Sequence, residues 1–253
     1  GWCALTLSRS DDIGAVPALV EIDTDAGDPW PLVTTWAARL TAADVVERAA
    51  LLDLPVAALG EAAAEPHRLT VLGRRATPRP MSDLLVADLS SMWAGPLCGQ
   101  ILAAAGATVV KVESPSRPDG TRVGEPAFFD WVNHGKLSCA IDFDDDRDVL
   151  RDLLSVADVV IEGSRPAALG RRGLGPADLA GPPGRVWLRV RGHSEPSSRV
   201  AFGDDAAVAG GLVGRGATGP VFCGDAVADP LTGLESALAV ADSLRRGGGE
   251  VIE

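Results

Sequence analysis

The spacing of apolar residues changes several times along the chain, and each change marks an element. Near the start, residues 2–7 (WCALTL) and 19–23 (LVEID) read as short strands. Residues 41–52 read as a helix, because Val45, Ala49 and Leu52 recur at helical spacing and Thr41 with Asp44 forms a helix start. From residue 61 to 80 the text becomes EAAAEPHRLTVLGRRATPRP, which predicts a linker and a boundary near residue 80. Beyond it, LLVADL, TVVKVE, LSCAIDF, DVVIEG and VWLRVRG are runs of strand length, most of them too apolar to face water.

Helical patterns separate those runs. Residues 94–107 (AGPLCGQILAAAGA) place Pro96 in a first turn. Residues 146–156 put Val149, Leu153 and Val156 on one stripe, residues 166–172 form a short arginine-rich helix, and LTGLESALAVADSL closes the series. Strand and helix alternating at these lengths predict an α/β fold, a largely parallel sheet with helices on both faces. Ligands of such sheets bind at the carboxyl ends of the strands. Here those ends are SSMWAGP, ESPSR, EGSRP and RGHSEP.

Composition narrows the class. A chain of 253 residues that is 46% hydrophobic can bury a true core. Its net charge of −12 repels nucleic acid and anionic membranes in general, so neither is an expected partner. Cys3, Cys98, Cys139 and Cys223 are scattered without C-x-x-C or zinc-type spacing, which predicts reduced thiols, a cytoplasmic protein and no metal. No run reaches the length of a membrane span, and the opening GWCALTLSRSDD lacks the pattern of a signal peptide.

Three constellations could carry chemistry. SSMWAGP passes from strand to helix through small residues, so its N–H groups either bind an anion or simply shape a turn. It is neither G-x-G-x-x-G nor a P-loop. EGSRPAALGRRGLGP sets Arg165, Arg171 and Arg172 after a strand end, where guanidinium groups either chelate phosphate or face solvent. FGDDAAVAGG and GPVFCGDAVADPLTG hold Asp204, Asp205, Asp225 and Asp229 among small residues, surroundings that raise a carboxyl pKa. Asp229 also fits a helix N-cap. Trp93 could stack on a purine or fill core space. His67, His134 and His193 fall in the linker or in loops, and G-x-S-x-G is absent.

Taken in order, residues 84–122, FFDWVNHGKLSCAIDF, ADVVIEGSRP and VADPLTG resemble the signature blocks of the family III CoA-transferases, over roughly residues 83–253. That family includes formyl-CoA and carnitine-CoA transferases and α-methylacyl-CoA racemases. The resemblance implies a Rossmann-like CoA-binding domain over 80–253, a smaller α+β domain, an interlocked homodimer, and acyl-CoA with a carboxylic acid as substrates. It makes Asp229 the carboxylate that attacks the thioester, with Asp225 and Asp204 as further catalytic candidates. It lays CoA along Trp93, Ala94, Ile141, Gly163, Ser164 and Arg171. Ser114 and His134 stand where many members carry arginine. Asp204 or Asp205 stands where the racemases carry histidine, which leaves acyl-CoA racemisation by two carboxylates, or CoA binding without catalysis, as alternatives. Residues 1–79 resemble small-domain segments that in most members follow the large domain.

Overall fold

The computed structural model describes residues 1–23, 27–164, 168–194 and 197–253. Two compact units result, each discontinuous in sequence: residues 1–65 with 192–228, and residues 66–191 with 229–253.

The smaller unit opens with β1 (Cys3–Leu5), α1 (Ser10–Gly14), α2 (Val16–Val20), α3 (Trp30–Ala37), α4 (Ala42–Leu51) and β2 (Val56–Ala58). β1 and β2 pair antiparallel. Residues 19–23, expected as a strand, instead contain the end of α2. Val16 and Leu19, three apart, both point into the core, Pro17 lies in the first turn, and Glu21 stops the helix in the left-handed region at φ 61°. α4 forms as expected, with Thr41 Oγ1 accepting from Asp44 N.

The larger unit begins with β3 (Leu69–Val71), β4 (Leu85–Leu89), α5 (Ala94–Ala104), β5 (Thr108–Glu113), α6 (Pro126–Asn133), β6 (Leu137–Ala140), α7 (Arg147–Val156), β7 (Val159–Glu162) and β8 (Val186–Arg189). The chain then returns to the smaller unit for α8 (Gly203–Ala209) and the hairpin of β9 (Val213–Arg215) and β10 (Pro220–Phe222). It ends in the larger unit with α9 (Ala228–Arg245) and β11 (Glu250–Ile252).

The sheet runs β3-β11-β8-β7-β4-β5-β6. All neighbours are parallel except β3 on β11. Alternation along the strands sends Val86, Ile161, Leu188 and Ile252 toward Cys98 and Leu102 of α5 and Val240 of α9. Ala87, Val160, Trp187 and Val251 face Leu150 and Leu154 of α7. Helices therefore cover both faces, as the apolar runs require.

Three expectations change. The linker assigned to residues 61–80 contributes β3, so the joints fall at 65/66, 191/192 and 228/229 and not near residue 80. α7 buries Leu150 and Leu154, while Val149 and Val156 remain exposed, because a phase shift of one residue fits the same helical period. Arg165 and residues 166–167 of the expected arginine-rich helix lie outside the described residues. Beyond them the chain makes a single 3₁₀ turn over Gly170–Arg172.

Behind the amino end of β8, Arg185 is almost wholly buried. Its guanidinium donates to the carbonyls of Leu154 (2.7 Å), Ser155 (3.0 Å) and Ala157 (3.3 Å) at the end of α7, and to Leu179 (3.3 Å) and Ala180 (3.2 Å). A cleft of about 490 Å³ beside it is lined by Arg74, Asp178, Pro182 and Gly249. Because Arg185 precedes β8 and Gly249 precedes β11, this cleft is at the amino ends of the strands, away from the loops where such sheets bind ligands.

Candidate active site

From β4 the chain runs to β5 and β6 on one side, then returns to β7 on the other. The crevice beyond the carboxyl ends of β4 and β7 is thus the topological switch point of the sheet. The loops there carry Trp93 and Ala94 after β4, and Gly163 and Ser164 after β7. A Cβ on Gly163 would lie 3.3 Å from Ser90 Cβ, so a bare glycine lets the two loops meet, and one on Gly95 would lie 2.2 Å from the same atom, which keeps the β4–α5 turn tight.

A charged network shapes this turn from beneath. Asp88 and Lys111 interrupt the apolar strands β4 and β5, and both are buried. Asp88 Oδ1 accepts from Ser90 N at 3.1 Å and from the Ser90 hydroxyl. Its Oδ2 takes Lys136 Nζ at 2.8 Å, and Lys136 also donates to Pro96 O (2.8 Å) and Asn133 Oδ1 (2.9 Å). Lys111 Nζ reaches Asp119 Oδ2 at 2.7 Å and the carbonyl of Ser90. Asp119 Oδ1 accepts from Met92 N (3.1 Å), Thr121 N (3.0 Å) and the Thr121 hydroxyl (2.8 Å). Met92 has φ 72°, a conformation that costs a residue with a side chain about 1 kcal/mol or more.

The shifts in pKa arise from these contacts. Burial opposes the charge on Asp119, yet Lys111 and the N–H donors outweigh it and the net pKa falls. Burial lowers Lys136, with Asp88 pulling the other way. Glu113 falls chiefly through its hydrogen bonds from Arg122. The sequence does hold a signal for this network: a lone charge inside LLVADL or TVVKVE must find a partner when the strand is buried on both faces.

Asp229 is half-buried in the first turn of α9, one residue inside the helix start, so the N-cap reading does not describe it. Gly233, one turn on and on the same face, sits against α5: a Cβ there would lie 2.7 Å from the Ala94 carbonyl and 3.0 Å from Leu97 Cβ. The contact brings the face of α9 that bears Asp229 to the start of α5. Trp93 meets Phe128 edge to face, with centroids 5.2 Å apart, and its buried Nε1 has no partner among the described residues.

The remaining candidates scatter. Ile141 follows β6, its side chain packs in the core beside Leu150 and Leu154 and its N–H donates to Glu113 O at 2.9 Å, leaving only its carbonyl to a ligand. Ser164 donates to Glu162 Oε1 at 2.9 Å. Arg171 is exposed on the 3₁₀ turn, while Arg172 is committed to Asp144 at 2.7 Å. Ser114 closes a tight turn with Arg117 and hydrogen-bonds Ser116. His134 is exposed, and His67 lies 3.8 Å from Glu235.

In the smaller unit, Asp204 Oδ1 accepts from Ala226 N at 2.9 Å and Asp225 is exposed. His193 Nδ1 lies 2.8 Å from Arg199, and since a guanidinium only donates, the ring proton belongs on Nε2. Burial and then Arg199 lower its pKa and keep it neutral. Asp205 is fully buried, with Oδ1 taking Thr6 Oγ1 and Phe202 N at 2.9 Å each, and Oδ2 without a partner among the described residues.

Burial raises Asp205 from 3.8 to about 6 against those two donors. Between these values the folded state holds a proton that the unfolded state has lost. This group's contribution is therefore most favourable in acid and falls as pH rises through about 6, by roughly 3 kcal/mol in all. Asp205→Asn keeps an acceptor for Phe202 and Thr6 and should flatten that slope. Denaturant melts from pH 4.5 to 7.5 test it, and equal slopes for wild type and variant would dispose of the assignment.

No group of three or more His, Cys, Asp or Glu suited to a metal occurs among the described residues, and no helix there is long and apolar enough to cross a membrane.

The class is set by a doubly wound α/β unit whose loops gather at a switch-point crevice, the place where open α/β sheets bind their ligands. The chain belongs to CoA-transferase family III, whose model matches residues 81–253. It is 31% identical over 198 residues to the succinyl-CoA–D-citramalate CoA-transferase of Chloroflexus aurantiacus, an alignment covering 70% of this chain and 49% of that protein. Against the succinate–glutarate CoA-transferase of Agrobacterium fabrum it is 32% identical, covering 69% and 50%. Among solved structures, a CAIB/BAIF family protein from Brucella suis superimposes with a TM-score of 0.59 at 32% identity, covering 66% of this chain and 50% of that one. A hypothetical protein from Mycobacterium tuberculosis gives 0.62 at 29%, covering 70% and 54%. The chain spans about half the length of the curated relatives it matches.

Proposed function

We propose that this chain carries the CoA-binding and nucleophilic part of an enzyme that transfers coenzyme A from an acyl-CoA thioester to a carboxylic acid. One observation carries the reading: Asp229 shares a face of α9 with Gly233, and Gly233 packs against Ala94 at the switch-point crevice. A carboxylate beside a ligand-holding crevice suits this chemistry. Asp229 attacks the thioester carbonyl, giving a mixed anhydride and CoA thiolate. The thiolate then attacks the aspartyl carbonyl, forming an aspartyl-CoA thioester and releasing the donor acid. The incoming acid and the same thiolate repeat the steps in reverse order, which yields the new acyl-CoA and restores Asp229. The N–H groups at the start of α5, which no N-cap side chain takes, are suited to an anion, and Arg171 is exposed for phosphate.

The relatives' names, which specify succinyl-CoA or succinate with citramalate or glutarate, support dicarboxylic acids as the substrate class. In this reading Asp204 is a tether for Ala226, and the racemase alternative gains no specific support. A cytoplasmic homodimer fits four free cysteines and the family resemblance, and light scattering on the purified chain tests the dimer. For the chemistry, incubation with succinyl-CoA followed by hydroxylamine should leave a hydroxamate on Asp229, located by peptide mass spectrometry. No adduct there, together with no transfer to a panel of mono- and dicarboxylic acids, would defeat the proposal.

A further inference from the structure

The turn after β4 adopts a shape that its own sequence does not favour. Met92 is left-handed without being glycine, and its N–H points to Asp119, a carboxylate from the loop after β5 that is 1% exposed. The loop fits closely there: a Cβ on Gly120 would lie 3.0 Å from Met92 Sδ. Lys111, itself 2% exposed, bridges Asp119 and the carbonyl of Ser90. A buried ion pair of this kind adds little net stability over a well-packed apolar pair. What an apolar pair cannot do is fix the N–H of Met92 and the carbonyl of Ser90 in one geometry.

We infer that Asp119 is a positioning residue: through the Met92 N–H it sets the turn that presents Trp93, Ala94 and the first N–H groups of α5 to coenzyme A. The inference rests on the CoA reading given above. Lys111 is the cation that keeps Asp119 ionised and oriented. Asp88 and Lys136 hold the flanks of the same turn at Ser90 N and Pro96 O.

Two double variants of the 253-residue chain separate this role from plain structural support. Both D119N/K111M and D119L/K111M remove the charge pair and keep a branched side chain with the same number of heavy atoms at residue 119, but only asparagine can still accept from Met92. Calorimetry should give a CoA Kd roughly tenfold higher for the leucine variant than for the asparagine variant, the scale of a misplaced binding group. The Met92 amide should exchange faster in the leucine variant, with the amides of β4 and β7 unaltered. Adding Met92→Gly to that variant should recover most of the lost affinity, because glycine takes a positive φ without a tether. If leucine prevents folding, Asp119→Ser in the K111M background, too short to reach Met92, replaces it. A wild-type chain that fails to bind CoA ends the proposed function and this inference together. Wild-type binding, with the two double variants equal within about twofold, overturns this inference alone.

Discussion

Asp229→Asn is expected to lower kcat for CoA transfer by ~10⁴ or more while changing CoA affinity by less than about threefold. The substitution keeps the size of the side chain and the helical residue in the first turn of α9. In the proposed mechanism it removes the nucleophilic oxygen, and no amide atom can replace it in forming an anhydride or an acyl-CoA exchange partner. The split between kcat and binding is the informative part. A residue that merely supported the helix would disturb both, since Gly233 on the same face anchors α9 against Ala94. Steady-state transfer from succinyl-CoA to a labelled acid, set beside CoA calorimetry, measures the two quantities. A variant retaining a tenth or more of the wild-type kcat, roughly 1.4 kcal/mol in barrier, would remove Asp229 from the chemistry.

Arg185→Met should destabilise the larger unit by about 3–5 kcal/mol. Methionine restores much of the volume, so a cavity is not the main cost. The loss is of donors: five carbonyls, three of them at the end of α7 and two in the loop beyond the 3₁₀ turn, rely on one guanidinium. A cation at a helix carboxyl terminus is also favourable in its own right. Burial holds the Arg185 pKa below its usual value, partly countered by Asp158. The packing is close, since a Cβ on Gly181 would lie 1.7 Å from Arg185 Cζ. Denaturant unfolding resolved by amide exchange in β7 and β8 reads the effect in that unit, and a loss below about 1 kcal/mol would show that water satisfies the abandoned carbonyls.

Much of the larger unit is legible in the sequence because burial on both faces makes β4, β5, β7 and β8 predominantly apolar runs. β3 is not, since Leu69 and Val71 belong to an exposed edge strand whose composition resembles a linker. LVEID reads as a strand because a five-residue buried helix and a short strand present the same few apolar residues. Of the site, the glycines and Asp229 are visible in their ordered blocks. Asp88 and Lys111 show only as lone charges inside apolar strands, and Asp119 and Lys136 do not show, as a charge in a sequence reveals no partner until the chain folds. Asp204 reads as a proton carrier because small neighbours suggest desolvation; folding gives it the Ala226 amide as a donor and places the neighbouring Asp205, not Asp204, fully in the interior.

The pairing of Val71 with Glu250 has a consequence for synthesis on the ribosome. β3 emerges before every other strand of its sheet, but its strand neighbour, β11, emerges after all of them, and β8 waits for the same segment on its other edge. Until then both edges stay open, and each could recruit a stranger's strand. A nascent chain paused before residue 250 therefore leaves β3 without its strand partner and β8 with an open edge, and one three-residue segment joins β3 to the rest of the sheet.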